Sequence, residues 1–168
     1  MINWMYFPKN KYPDEISIKV VKAFESVSEV IDSYSNKLKS DEVLASVRPK
    51  LEKIGFSVEK SKKTDDIIAV PVLYGLNGKV EKSFEADGYL ASFGYVIEVE
   101  AGRGVTNNQF LKDFFEACTM VGVDKLCICV RNIYGQNYDF NNVCKFFDSL
   151  YTSNRLVIPL SGLLIIGY

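Results

Sequence analysis

The sequence predicts an α/β fold, a mixed β-sheet flanked by helices, and three observations carry that reading. Residues 84–103 hold two apolar-flanked segments around a short Ser92-Phe93-Gly94 turn, the pattern of a hairpin. Residues 95–100, 106–121 and 125–130 then read strand, helix, strand, and a helical crossover of that length implies a parallel pair. Near the amino terminus, Ile16, Val20, Phe24, Val27, Ile31, Tyr34 and Leu38 recur at spacings of four and three, one apolar helical stripe. At 168 residues the chain fits one domain, with no internal repeat, linker or low-complexity segment.

Each element has its own signal. Residues 1–12 read as an extended or irregular lead with Trp4, Tyr6 and Phe7, and Pro13-Asp14-Glu15 opens the first helix. Ser40 can cap a second helix to about Ile54, with Asp41 and Glu42 suited to the positive end of its dipole. Leu44, Val47, Leu51 and Ile54 form its buried face, and Pro49 should bend or break it. Gly55 ends it, and residues 56–60 look like a short strand. Residues 67–74 are apolar and β-rich, and Asn77-Gly78 is the strongest hairpin turn signal in the chain. The return strand, 79–90, carries Asp87, and 95–100 completes a three-stranded meander.

Thr106-Asn107-Asn108-Gln109 has the form of a capping box. The helix behind it shows a wide apolar surface: Phe110, Leu111, Phe114, Phe115, Cys118 and Val121. Such a surface is buried or packs on a second subunit, so a homodimer is expected. Residues 125–130 form a continuous apolar run, the mark of a strand buried on both faces. A helix over 141–152 and a strand over 156–166, interrupted at Ser161-Gly162, close the chain.

Composition excludes several chemistries. There is no histidine, which removes Ser-His-Asp and Cys-His catalysis and His-metal ligation. No CxxC pair accompanies Cys118, Cys127, Cys129 and Cys144, which read as buried thiols of a reducing compartment. Neither GxGxxG nor GxxxxGK[ST] occurs. The amino terminus lacks a secretory pattern, and no apolar stretch approaches the ~20 residues of a membrane span, so a cytoplasmic protein without a membrane partner is expected. The net charge of −1 gives no overall pull toward nucleic acid, so any DNA contact needs a local basic patch. Carboxylates, lysines and a metal remain as chemical resources.

The carboxylates have a pattern. In a strand, side chains two apart share a face with Cα atoms roughly 6.6 Å apart, so Glu98 and Glu100 point one way and Ile97 and Val99 the other. Asp87, on the partner strand, is close enough to join them. Convergent carboxylates repel unless a cation lies between them, and Mg²⁺ or Mn²⁺ does so through oxygen ligands. A solvated strand face is the alternative reading of the same spacing.

An acid in one strand, a short turn, then Glu-x-Glu in an apolar strand followed by a helix resembles the PD-(D/E)XK, restriction endonuclease-like superfamily of nucleases. The third motif position, usually Lys there, is Glu100 here, as in the Glu-x-Glu or Glu-x-Gln subset of type II restriction endonucleases. The run IEVEAGRGVTNNQFLKDFFEA and a strand ending Val130-Arg131-Asn132 are similar in rhythm to the BglII/BstYI-like branch, and the resemblance covers about residues 43–132. It implies a single nuclease-like domain over 1–168 and a metal-dependent endonuclease hydrolysing DNA phosphodiester bonds. Asp87 and Glu98, with the carbonyl of Val99, would hold Mg²⁺ (or Mn²⁺), and Glu100 would act on the attacking water. A supporting acid is expected near the start of the second helix, where Glu42 is nearest, although its place on the helical wheel suits capping. On this reading Lys60, Lys62, Lys63, Arg103 and Arg131 are phosphate contacts, which position a duplex without reading its sequence. A Glu in the Lys position equally suits a catalytically inactive module that binds a protein or nucleic-acid partner, or a metal-binding domain with no nucleic-acid role.

Overall fold

The computed structural model describes residues 1–61 and 63–168. In chain order the elements are β1 (Asn3–Phe7), α1 (Glu15–Glu25), the short α2 (Ser28–Ile31), α3 (Ser40–Ile54), β2 (Ser57–Val58), β3 (Ile68–Tyr74) and β4 (Val80–Ala86). They continue with β5 (Gly88–Leu90), β6 (Tyr95–Val99), α4 (Gln109–Thr119), β7 (Lys125–Val130), α5 (Asp139–Ser153) and β8 (Gly162–Gly167). Six strands form one mixed sheet in the order β1-β8-β7-β6-β5-β2, while β3 and β4 form a separate two-stranded ribbon. Strands β6, β7 and β8 are parallel, and β1, β5 and β2 pair antiparallel at the flanks.

Alternation along the parallel strands decides the layers. Tyr95, Ile97, Val99, Cys127, Cys129, Leu164 and Ile166 bury one face of the sheet with Val20, Phe24, Val43, Val47 and Leu51 of α1 and α3. Val96, Leu126, Ile128, Val130, Leu163 and Ile165 bury the other with Phe110, Phe114, Val143 and Phe147 of α4 and α5. The sheet is therefore covered on both sides, which is why β7 reads as an unbroken apolar run. Among the described residues no helix is long and apolar enough to cross a membrane.

Several expectations change. Of the two readings of the lead the extended one holds, as an ordered edge strand, β1, whose partner β8 lies at the far end of the sequence. The amino-terminal stripe does not make one long helix: α1 stops at Glu25, and α2 adds a single turn. Pro49 does not break α3, which runs unbroken from Ser40 to Ile54 with Pro49 exposed, where water can serve the freed carbonyl. The meander divides at Asp87, so that β4 belongs to the ribbon and β5 to the main sheet. The Thr106–Gln109 capping box does not form. Residues 102–108 make successive turns, and α4 begins at Gln109 behind a left-handed Asn108 (φ +59°). Residues 156–160 are not strand, and β8 starts at Gly162.

Candidate functional site

The alternation that sorts the core also places the acids. Val96 faces the α4/α5 layer while Ile97 and Val99 face α1/α3, so Glu98 and Glu100 project toward α4. On α4 the buried face consists of Phe110, Asp113, Phe114 and Ala117, which sets a carboxylate among apolar neighbours opposite them. Asp87 sits at the corner between β4 and β5, where the Val99 N–H donates to its Oδ2 at 2.8 Å. These residues line a cleft of ≈ 230 Å³ beyond the carboxyl end of β6, where open α/β sheets place their ligands.

The backbone of Glu100 is held from two sides. Its N–H donates to the Cys129 carbonyl (2.7 Å), and the Tyr168 hydroxyl donates to its carbonyl (2.8 Å). Its side chain lies over Gly104, where a Cβ would stand 2.3 Å from Oε2 and 2.9 Å from the Glu100 Cβ. Only glycine leaves room there for the carboxylate.

The electrostatics of the cleft are one-sided. Among the described residues eight acids line it, Asp41, Glu59, Glu85, Asp87, Glu98, Glu100, Asp113 and Glu116, against one lysine, Lys112, which is 3.3 Å from Glu116. Burial holds the Glu98 carboxyl well above the ordinary carboxylate range, and the charges of Asp87 and Asp113 add to it. Burial and then the neighbouring Glu100 raise Asp113 to about 8. Glu100 is also raised, first by burial and further by Asp87, while its hydrogen bond with Asp113 works the other way. Burial among like charges disfavours the ionised form of each of these carboxyls, and a bound cation would relieve that penalty.

Asp87, Glu98, Val99 and Glu100 are thus brought together as expected, and Asp113 and Glu59 join them. Asp113 is 6% exposed, and its Oδ2 has no hydrogen-bond partner in the protein. It stands three residues after Phe110 and four before Ala117, an acid on the apolar stripe, but the width of that stripe hides which edge is buried. Glu59 enters because its N–H donates to the Asp87 carbonyl (2.8 Å), extending the pairing of β2 with β5. Glu42 is not part of the cleft: its carboxylate accepts from the Lys39 N–H (2.7 Å) at the start of α3, and Asp41 lines the cleft in its place.

Among the basic residues, Lys60, Lys63 and Arg103 are exposed. Lys60 lines a neighbouring cavity that shares Asp41 and Glu59 with the cleft. Lys62 lies outside the described residues. Arg131 departs from the expected phosphate contact. It is 7% exposed, donates from Nη2 to the Leu38 carbonyl and stacks over Tyr134 at 5.2 Å, so its charge is engaged inside the fold. The four cysteines are free of disulfides, and Cys127, Cys129 and Cys144 are buried.

Among the described residues, no three His, Cys, Asp or Glu side chains stand grouped closely enough to hold a metal ion as they lie. Mg²⁺ asks for less than that, since it binds through one or two carboxylates and keeps several waters. The donor set suits a hard cation, being all carboxylate oxygen, and the buried Asp113 Oδ2 lacks a partner that a cation or its water could supply. No protein-family model matches the chain, and none of the curated proteins matches it.

Proposed function

We propose that the cleft is the catalytic centre of a metal-dependent phosphodiesterase acting on DNA, on a restriction endonuclease-like fold. The observation that carries this reading is the meeting of Asp87, Glu98 and Glu100 in one cleft at the carboxyl end of β6, with α4 crossing over to a parallel β7. Asp87 and Glu98, with the Val99 carbonyl, would hold Mg²⁺ or Mn²⁺. Such an ion supplies a Lewis acid for the scissile phosphate and a more acidic water.

The chain's own contributions are distinct. The Val99 N–H orients Asp87. Glu100 accepts a proton from the attacking water, and Asp113, hydrogen-bonded to it, positions it. Lys60, which lines the neighbouring cavity, and the exposed Lys63 and Arg103 would attract the backbone of the polyanion, and Lys62 belongs to the same basic run in the sequence.

Glu100 in the position where Lys is usual, and the lack of a ready three-acid ligand set among the described residues, favour one rival: an inactive module of the same fold that binds a protein or nucleic-acid partner. Plasmid cleavage in millimolar Mg²⁺ or Mn²⁺ tests the proposal. Nicking that vanishes in Asp87→Asn and Glu98→Gln supports it. DNA left intact by a wild-type chain that either ion stabilises against heat would leave a metal-binding module, and no thermal response at all would remove the site.

A further inference from the structure

A second cavity, of ≈ 300 Å³, lies between the amino-terminal ends of α4 and α5. Phe110 and Phe146 form one side of it, edge to face with ring centroids 5.7 Å apart, and Phe146 is 40% exposed. Asn108, Asn142 and Asp139 contribute the polar side. Asp139 is 2% exposed, and its Oδ1 is buried without a hydrogen-bond partner in the protein. A carboxylate in the first turn of α5 suits the helix dipole, which explains why an acid is tolerated there, but that leaves Oδ1 without a donor. Buried polar atoms are rarely left so, and an orphan on the wall of an open cavity points to a ligand that brings the donor.

The cavity's chemistry narrows the ligand. An aromatic wall takes a flat ring, a carboxylate takes an N–H donor rather than a carbonyl, and side-chain amides serve either kind of edge. We propose that this cavity binds a nucleobase carrying an exocyclic amino group, stacked on Phe146 with its amino group donating to Asp139. Resting on the phosphodiesterase reading, the same cavity holds a base of the strand whose backbone lies at the carboxylate cleft. Helix α4 joins the two: Phe110 faces the cavity and Asp113 the cleft, and residues three apart on a helix have Cβ atoms roughly 5–6 Å apart. Amino-bearing cytosine, adenine and guanine are thereby separated from thymine, which has no exocyclic amino group and whose one base donor, N3–H, is flanked by two carbonyl oxygens that the Asp139 carboxylate repels.

The test is calorimetric or NMR titration of the full chain with dCMP, dAMP, dGMP and dTMP in the absence of divalent metal. The amino-bearing nucleotides should bind about tenfold or more tightly than dTMP, and Phe146→Ala should weaken them by a similar factor, the size of one lost stacking contact. Asp139→Asn should abolish the discrimination, and Lys22→Ala, at an exposed position of α1 on the other side of the sheet, should leave it unchanged. Equal binding of all four nucleotides, binding of none, or discrimination that survives Asp139→Asn overturns the proposal. If Asp139→Asn does not fold, the half-exposed Phe146→Ala decides. Discrimination without any metal-dependent stabilisation keeps the cavity and removes the phosphodiesterase reading, and metal-dependent cleavage without discrimination does the reverse.

Discussion

The two ends of the parallel strands treat half-buried and buried acids in opposite ways. At the amino ends of β6 and β7, Asp14 caps α1 by accepting from the Ser17 N–H (2.9 Å) and pairs with Lys125 (3.2 Å). Burial alone would raise its carboxyl, but the Ser17 amide and Lys125 bring it below the ordinary value. Beside it Ser17, fully buried, shares a hydrogen bond with the Tyr95 hydroxyl at 3.0 Å. At the carboxyl ends, Glu98, Glu100 and Asp113 are raised, because burial there is met by other carboxylates, which outweigh the Asp87 amide and Lys112. An acid kept for structure comes with its donors already in the sequence around it. An acid group kept without them is set up for something the chain does not contain.

The largest expected difference between the two ends is their response to divalent metal. Mg²⁺ or Mn²⁺ at 100 times its dissociation constant should add about 2.7 kcal/mol of stability, read as a rise in melting temperature. Asp87→Asn and Glu98→Gln should each abolish the rise, and Asp14→Ala should leave it whole. A rise that persists in Glu98→Gln would place the ion elsewhere.

Next comes pH. Asp113 is raised to about 8, so its favourable contribution is present below the unfolded value near 4 and is lost as pH climbs through about 8. The metal-free protein should therefore lose stability across that window. Asp113→Asn should flatten the loss and leave the variant on the order of 2 kcal/mol more stable than wild type at pH 8. Chemical denaturation at pH 5 and pH 8 measures both, and a parallel fall in the variant would refute the assignment.

How far the sequence reveals this contrast depends on what periodicity encodes. Glu98 and Glu100 are legible because a strand has a fixed period of two, and Asp87 because the hairpin is short. Asp113 is not, because Phe110, Leu111, Phe114 and Phe115 make the α4 stripe so wide that period alone does not say which edge is buried. The structure exposes Phe115 (55%) and buries Asp113, a choice that follows from where Glu98 and Glu100 open the interior. Strand β1 is hidden for another reason: its pairing with β8 joins opposite ends of the chain, as in Asn3 to Gly167, and local pattern carries no record of it. The division of the meander at Asp87 is likewise a tertiary event, since an unbroken run from 79 to 90 is locally as good a strand as two.

A smaller effect tests the structural end. Asp14→Ala removes the α1 cap and should cost about 1 kcal/mol at neutral pH. Its sign with pH is opposite to that of Asp113. With the folded pKa lowered, the contribution is present above the unfolded value near 4 and is lost as pH falls through the folded one. The difference between wild type and variant should therefore shrink in acid, and it should be the same with and without metal. A metal-dependent difference would show that the two ends are coupled through β6 and β7.

The smallest change in stability is expected for Glu100→Gln, and it is the most discriminating about the cleft. Glu100 and Asp113 are hydrogen-bonded to one another, an interaction that raises Asp113 and lowers Glu100. A glutamine at 100 has nearly the same shape, keeps the place that Gly104 leaves open, and can donate from its amide to Asp113. The packing and the hydrogen bond survive, and the net effect on stability near pH 6 should be within about 0.5 kcal/mol. What changes is the charge. Without the Glu100 carboxylate, the largest influence on Asp113 after burial disappears, and a donated hydrogen bond now favours its ionised form. The Asp113 titration, followed by carboxyl-carbon NMR, should move down from about 8, and the pH-dependent loss of stability should begin and end at lower pH. A titration of Asp113 that stays put in Glu100→Gln would mean that burial alone sets it, and that Glu100 is not the residue Asp113 holds in place.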